Sequence, residues 1–299
     1  MKSDIKKLTF NDRLPFGFKI ITVNHQYARA KANLSAPHRA AFYVIIWFKT
    51  GTPVHVVDFR PVAIRPDSFL FIRKDAVQLF DQYNVFNADV LIFTDNFFCN
   101  TDSDQQFLQH ISLFNNLTGS GDIGVIPATN LLRELWGLMQ SEEKSPVDDF
   151  QSLLLKNYLF NFIMLADRDR QKAGFRPIQR GRLLEYLISF QDYLEKNFIK
   201  EKSVNFYAQK LCISNKVLNH TVQTSTGRSP KQLIDERLIL EAKRLLVHSN
   251  DSVKMIGLNL SFDEPTNFNK FFKKHTGKTP AEFRGEYLSY NRVVANVSS

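Results

Sequence analysis

The spacing of apolar and polar positions changes character along the chain. Between Phe16 and Phe98, short runs rich in Val, Ile, Phe and Tyr alternate with turn residues, as in FYVIIWFKTGTPVHVVDFRPVAIRPDSFLFIRKDAVQLF and ADVLIFTDNFF. Breaks at Gly51-Thr52-Pro53, Pro61 and Pro66-Asp67 follow one another closely, which predicts a sandwich or small barrel rather than a parallel sheet. From Asn130 to Asp169 the period becomes helical. Leu131, Leu135 and Leu138 share a face, Pro146 interrupts, and FQSLLLKNYLFNFIMLA follows with apolar residues on too many sides for a lone surface helix. One face of this segment is expected to pack on the barrel and another on a second subunit. The stretch RQKAGFRPIQRGR, Arg170 to Arg182, is basic and aperiodic and carries Gly174, Pro177 and Gly181, so it reads as a linker.

Beyond the linker the pattern is helical throughout, with capping residues at its breaks: Ser203 before VNFYAQKL, Ser214 before NKVLNHTVQTST, Ser252 before VKMIGLNL, and Pro265 opening PTNFNKFFKKHT. STGRSP, Ser225 to Pro230, recurs as HTGKTP, His275 to Pro280, 50 residues later. In each copy a glycine, Gly227 or Gly277, suits the left-handed end of a helix. Ser229 or Thr279 can cap the next helix, and Pro230 or Pro280 suits its first position. Gly277-Lys278-Thr279 is not a phosphate loop, because Phe272 stands where that loop needs a glycine.

Two helix-turn-helix pairs follow. In the first, Val204, Ala208 and Leu211 face inward, the turn is CIS, and Leu218 and Val222 return to the same core. In the second, Val253, Ile256 and Leu260 face inward, the turn is SFDE, and Phe268, Phe271 and Phe272 fill the joint. The opposite faces are polar. Lys216, Asn219, His220 and Gln223 form one stripe at i, i+3, i+4 and i+7, and Thr266, Asn267, Lys270 and Lys274 form its counterpart, with side chains able to read base edges. Between them, PKQLIDERLILEAKRLLVH sets Leu233, Leu238, Ala242 and Leu245 broadly on one side. As one helix it spans about 28 Å, comparable with the ~34 Å between adjacent major-groove openings on one face of DNA.

Composition sharpens this picture. The 299 residues are 43% hydrophobic and 13% aromatic, enough for two domains with cores. The N-terminal MKSDIKKLTFNDRLPF holds no apolar stretch of signal-peptide length, and the densest apolar run, FYVIIWF, is too short to span a bilayer. Neither cysteine, Cys99 or Cys212, has a C-x-x-C partner, so two reduced, mostly buried thiols are expected, in keeping with a cytoplasmic location. Residues 1–170 carry 18 basic and 18 acidic side chains, whereas residues 171–299 carry 21 and 12, so the whole net charge of +9 lies in the C-terminal part. That asymmetry favours a polyanionic partner, nucleic acid ahead of membrane. Arg228, Lys231, Lys254 and Lys278 are candidates for phosphate contact, joined by Ser214 ahead of the first stripe and Lys274 at the end of the second.

Residues 183–288 resemble the DNA-binding domain of AraC-type (AraC/XylS family) transcriptional regulators, through YAQKLCISNKVLNHTVQTSTGRSP, IDERLILEAKRLL and SVKMIGLNLSFDEPTNFNKFFKKHTGKTPAEFR. The resemblance implies that Lys216, Asn219 and His220 read bases from the first recognition helix, and Thr266, Asn267, Asn269 and Lys270 from the second. It also implies double-stranded DNA and RNA polymerase as partners. The chain departs from the family's alanine-x-x-leucine-glycine-phenylalanine in having Gly257, Leu260, Ser261 and Phe262. A helical glycine costs about 1 kcal/mol against alanine, which lowers the expected stability or DNA contact of the second unit.

The N-terminal region, through APHRAAFYVIIWFKTGTPVHVVDF and FIRKDAVQLF, more loosely resembles the cupin-like sensor barrel of many such regulators, implying a small-molecule effector. Metal-dependent cupins converge histidines and a glutamate on one ion. Here His38 and His55 are isolated, and Lys19 to Asp122 contains no glutamate, so no metal, cofactor or catalytic residue is expected. The rival reading is a metal-dependent cupin enzyme with an appended DNA-binding domain. The resulting expectation is an α+β multidomain chain: a cupin-like barrel at 1–125, a helical homodimerisation segment at 126–170, a linker at 171–182, an all-α domain with two helix-turn-helix units at 183–290, and a tail at 291–299.

Overall fold

The structure, a computed structural model, describes residues 7–8, 17–30, 34, 37–114, 125–175 and 181–287. Residues 176–180 of the expected linker and the expected tail at 291–299 lie outside the described residues. The chain divides into two compact units between residues 178 and 179.

The N-terminal unit contains strands β1 (Lys7–Leu8), β2 (Phe18–Asn24), β3 (His38–Ala40), β4 (Tyr43–Gly51), β5 (Val54–Val57), β6 (Arg60–Ala63), β7 (Ser68–Ile72), β8 (Val77–Leu79), β9 (Phe86–Phe93) and β10 (Val125–Pro127). They form two five-stranded sheets, ordered β1-β3-β8-β5-β6 and β10-β7-β4-β9-β2. Every pairing is antiparallel except the short β1–β3 ladder. Successive side chains on a strand point to opposite faces. Val44, Ile46 and Phe48 of β4 therefore enter a core shared with Ala40, Val57 and Val62 of the other sheet, while Ile45 joins Phe69, Phe71, Leu91 and Phe93 on the opposite face.

Helices cover that second face. After the short helices α1 (His25–Ala30), α2 (Asp95–Phe98) and α3 (Asp102–His110) come α4 (Asn130–Lys144) and α5 (Gln151–Lys172). Leu132, Trp136 and Met139 of α4 and Leu155, Leu159, Phe162, Ile163 and Ala166 of α5 are buried in the same core as the sheet's aromatic face. The Trp136 ring sits 5.4 Å from Phe69 and 5.8 Å from Phe162. With both faces of this sheet covered, β7 (SFLFI) is buried at every residue and shows no polar alternation. The hairpin is tied by Gln151, whose Nε2 donates to the Glu142 and Ser145 carbonyls at 2.7 and 3.0 Å. Leu131, Leu138, Leu153 and Leu154 remain exposed on it, beside half-buried Leu135 and Tyr158.

The C-terminal unit is helical: α6 (Arg182–Asn197), α7 (Val204–Lys210), α8 (Asn215–Thr226), α9 (Pro230–His248), α10 (Val253–Asn259) and α11 (Pro265–Thr276), followed by helical residues 280–287. The buried arc of α9 is wider than, and rotated from, the leucine stripe expected from sequence. Ile234, Leu238, Ile239, Ala242 and Leu246 are core, whereas Leu233 and Leu245 are half-buried. The reason is that α9 packs against α8 as well as α10 and α11, so two cores claim its surface. Charge is buried there too. Glu241 Oε2 accepts from Arg237 and from the fully buried Arg244, each at 3.1 Å, and Arg237 Nε reaches Glu195 of α6 at 2.9 Å. The buried pair lies within α9, and Arg237 extends the network to the exposed Glu195 of α6.

Candidate nucleic-acid interface

The repeat legible in six residues extends through the whole of each helix-turn-helix unit. Ser203 and Ser252, 49 positions apart, cap α7 and α10 by accepting from Asn205 N and Met255 N, both at 3.2 Å. Each of these helices ends in the same turn. Cys212 and Ser261 are left-handed, with φ of 53° and 55°. The next amide, Ile213 or Phe262, donates back to the Ala208 or Gly257 carbonyl at 3.0 Å. The second turn holds one extra residue, after which the offset is 50: Gly227 and Gly277 end α8 and α11 with φ of 70° and 78°. The correspondence continues into the following helix. Ser229 exchanges capping bonds with Gln232, and Thr279 with Glu282, while the ion pairs Arg228–Glu236 and Lys278–Glu286 repeat at equivalent positions.

Inside these matching frames the fillings differ. The first core is built on Tyr207, Ala208, Leu218 and Val222, with Val204 and Leu211 only half-buried where full burial is expected from spacing. Tyr207 takes the central place because its hydroxyl can donate to the Glu201 carbonyl at 2.7 Å, and burial pushes its pKa up to about 12. The second core is aromatic. Phe268 and Phe272 are fully buried, Phe262 lies 5.3 Å from both Phe268 and Phe271, and Phe283 lies 5.5 Å from Phe272. Phe271 is half-buried, against Phe262 and, at 4.7 Å, His275. Gly257 occupies the place of Ala208, and a Cβ there would lie 3.1 Å from the Phe268 Cβ. The glycine expected to loosen this unit thus also lets α11 approach α10 closely.

The outward face of α8 carries Lys216, Asn219, His220 and Gln223, all exposed. Asn219 Nδ2 donates to the Asn215 carbonyl at 2.8 Å, and Gln223 Nε2 to the Gly227 carbonyl at 3.1 Å. Lys216 and His220 have no hydrogen-bond or ion-pair partner among the described residues. On α11, Thr266, Asn267 and Lys270 are exposed and Asn269 is half-buried; the Thr266 hydroxyl donates to Glu264 at 3.1 Å. Two outward residues escaped the sequence stripes. The 50-residue offset pairs Asn267 with Val217 and Gln223 with Lys273, both exposed. Val217 is apolar and so fell outside a polar stripe, and Lys273 was passed over for Lys274; aligning the repeats from Gly227 and Gly277 would have found both.

Among the phosphate candidates, Ser214 accepts from Val217 N at 3.2 Å and so caps α8. Arg228 and Lys278 are paired with Glu236 and Glu286, and Lys231 reaches Asp235 at 2.7 Å. Lys254 and Lys274 are exposed and have no partner among the described residues. Glu236 and Glu286 are exposed and such pairs contribute at most about 1 kcal/mol, so a phosphate can displace these two carboxylates, whereas Asp235 is buried. Cys212, expected to be buried, is exposed because it sits at the tip of the first turn; Cys99 is half-buried, and burial raises its thiol to about 11.

The N-terminal unit corrects one further expectation. His38 and His55, isolated in sequence, are brought together by the β3-β8-β5 order, both buried, with Gln78 opposite His38 in the strand register. His55 Nε2 lies 3.2 Å from Gln78 Oε1, and its ring packs edge-on against Phe80 at 4.7 Å. Burial lowers the His55 pKa to about 3, with the Gln78 hydrogen bond opposing and His38 adding to the shift, so the imidazole is neutral. Its buried Nδ1 has no hydrogen-bond partner among the described residues. Among the described residues, no group of three or more His, Cys, Asp or Glu could hold a metal ion, and no helix is long and apolar enough to cross a membrane.

Two helix-turn-helix units sharing one long helix, each with a polar outward face, define a bipartite DNA-binding module. A family described as "Helix-turn-helix domain" matches residues 207–286. The chain is similar to the HTH-type transcriptional activator RhaS of Yersinia pestis bv. Antiqua (strain Angola), at 23% identity over 265 residues, covering 87% of this chain and 92% of the relative. Among solved structures, ToxT from Vibrio cholerae aligns at 13% identity over 90% of this chain and 98% of its own, with a TM-score of 0.47. A transcriptional regulator from Chromobacterium violaceum, described by its AraC-type DNA-binding domain, aligns at 23% identity over 34% of this chain and 92% of its own, with a TM-score of 0.32. Residues 207–286 thus carry a helix-turn-helix domain, and over most of its length the chain is similar to a DNA-binding transcriptional activator.

Proposed function

We propose that this regulator is an activator that reads two successive major grooves, α8 entering one and α11 the next. The observation that carries this reading is the duplication of the helix-turn-helix backbone, with its first-helix serine cap, left-handed turn and glycine end, at either end of α9, whose 19 residues span about 28 Å. Lys216, Asn219, His220 and Gln223 would read bases from α8, and Thr266, Asn267, Asn269 and Lys270 from α11. Ser214, Arg228, Lys231, Lys254, Lys274 and Lys278 would hold phosphates. Selecting sites from a randomised duplex pool with the full-length protein, followed by footprinting, should give two protected patches about one helical turn apart. A single patch would overturn the two-groove reading. Residues 179–299 should also bind the selected site alone, with affinity falling steeply as salt rises.

Three finer parts of the reading rest on the N-terminal unit and on relatives. The exposed apolar side of the α4–α5 hairpin supports homodimerisation through residues 126–170. Replacing Leu154 and Tyr158 by charged residues should turn a dimer into a monomer in sedimentation, and an unmodified protein that is monomeric at micromolar concentration would refute it. The neutral His55, unpaired at Nδ1 among aromatic rings, supports a small-molecule effector inside the two-sheet unit. His55→Phe should abolish any ligand-dependent change in DNA affinity while leaving basal binding intact. The activator role, in line with the name of the relative, implies contact with RNA polymerase, which transcription reconstituted with purified components would reveal. No reaction is assigned to the chain, and stoichiometric iron or zinc in purified protein would favour the enzymatic rival instead.

A further inference from the structure

We infer that Val217 is a specificity-determining residue that recognises the 5-methyl group of one thymine, so that the first recognition helix reads an apolar feature where the second, through Asn267, reads a hydrogen-bonding one. This inference rests on the DNA-reading role of α8.

The argument begins with what Val217 does not do. Of the three apolar side chains on α8, Leu218 and Val222 are fully buried, whereas Val217 is 39% exposed. A β-branched residue loses side-chain freedom in a helix and is a poorer helix former than the alanine, lysine or glutamine that a merely solvated position would accept. Folding therefore gives no reason for valine here. No side chain on α11 repeats the feature, because its apolar residues are buried or half-buried and the equivalent position is Asn267.

The position itself is suited to base contact. Val217 is the third residue of α8, and its amide is the one that Ser214 caps at 3.2 Å, so the backbone beneath the side chain is held in place. Residues in the first turns of a recognition helix meet base edges. Lys216 and His220, beside it on the outward face, have no protein partner among the described residues and can donate to neighbouring bases or phosphates. In the major groove the only apolar group that a base pair offers is the thymine C5-methyl. An isopropyl group with restricted χ1 on a capped first turn matches that group, and it cannot satisfy an amide or carbonyl edge.

The test uses the full-length protein and duplexes carrying its selected site, with each thymine replaced in turn by deoxyuridine, which removes the methyl and leaves pairing unchanged. Wild-type protein should lose about fourfold in affinity at one thymine in the half-site read by α8, the size of effect expected from one buried methyl. Val217→Ala should bind the unmodified duplex about fourfold more weakly and be indifferent to uracil at that thymine, so that the two losses do not add. Because the residue is exposed, the variant's thermal unfolding should match wild type, and Val217→Thr, which keeps one methyl, should retain part of the discrimination. Equal sensitivity of wild type and Val217→Ala to every uracil, or no sensitivity in either, overturns the assignment while DNA reading stands. Failure of the full-length protein to enrich any site would instead remove the reading on which it rests.

Discussion

In the first helix-turn-helix unit the recognition helix is capped by Ser214 and presents Lys216, Val217, Asn219, His220 and Gln223. In the second the N-cap is Glu264, which makes no side-chain cap bond, and the outward face is Thr266, Asn267, Lys270, Lys273 and Lys274. The backbone devices are shared, including the left-handed Cys212 and Ser261, the glycine ends and the repeated ion pairs. What has diverged is the chemistry offered to DNA and the filling behind it. The α8 sequence carries one lysine and no phenylalanine; the α11 sequence carries three lysines and three phenylalanines, two of which pack against Phe262 of the preceding turn. A frame set by caps and turns tolerates this drift because those devices act on the backbone. Duplicated architecture need not mean duplicated work: we propose that the second outward face adds more phosphate attraction to its base reading than the first, since it carries three lysines to one.

The largest expected effect separates the two cores. Phe272→Ala should destabilise the C-terminal unit by about 3 to 5 kcal/mol in chemical denaturation, the usual cost for a fully buried phenylalanine. The equivalent Val222→Ala should cost about 2 kcal/mol, since less apolar surface is lost. Equal losses would mean that the aromatic core of the second unit is not the tighter anchor. Next comes charge. Replacing Lys270, Lys273 and Lys274 together by alanine should flatten the dependence of log affinity on log salt by roughly 2 to 3, whereas Lys216→Ala should change it by about 1 at most. A triple variant with an unchanged slope would abolish the proposed division of labour.

Base reading gives a smaller, more selective effect. Lys216→Ala and Asn219→Ala should each cost about 1 to 3 kcal/mol on the selected site and far less on scrambled duplex, with thermal unfolding unchanged. Equal weakening on both duplexes would reassign those residues to phosphate. The smallest expected change is a gain. Thr221 on α8 is fully buried, and its hydroxyl has no hydrogen-bond partner among the described residues. Its equivalent is the half-buried Phe271. Thr221→Val should raise stability by about 1 kcal/mol, because a buried unpaired hydroxyl is costly to keep. A loss of stability would show that the hydroxyl is satisfied in solution.

Much of this frame was legible in the residues because it is built from local signals. Ser203, Ser214, Ser252 and Ser229 cap where the pattern places them, Gly227 and Gly277 end their helices, and the 3.6-residue period exposes Lys216, His220 and Lys270. The misses share one cause. Whether Tyr207 or Val204 fills the first core, whether Ile234 or Leu233 faces inward on α9, and how Gly257 is used against Phe268 all depend on which second element arrives and how closely. A single-helix pattern allows either answer, since neighbouring positions differ by only 100° around the axis.

By itself, then, the amino-acid sequence determined the order of elements, the repeat, the helix ends and the segregation of positive charge, because each is carried by residues adjacent along the chain or one helical turn apart. Only the tertiary structure decided that His38 and His55 meet beside Gln78, that both faces of the β10-β7-β4-β9-β2 sheet are covered, and that Val217 stands outward opposite its own core. Strand order brings together residues that spacing separates. Burial, which makes His55 neutral and leaves Val217 free to meet a ligand, is a property of what lies across from a side chain.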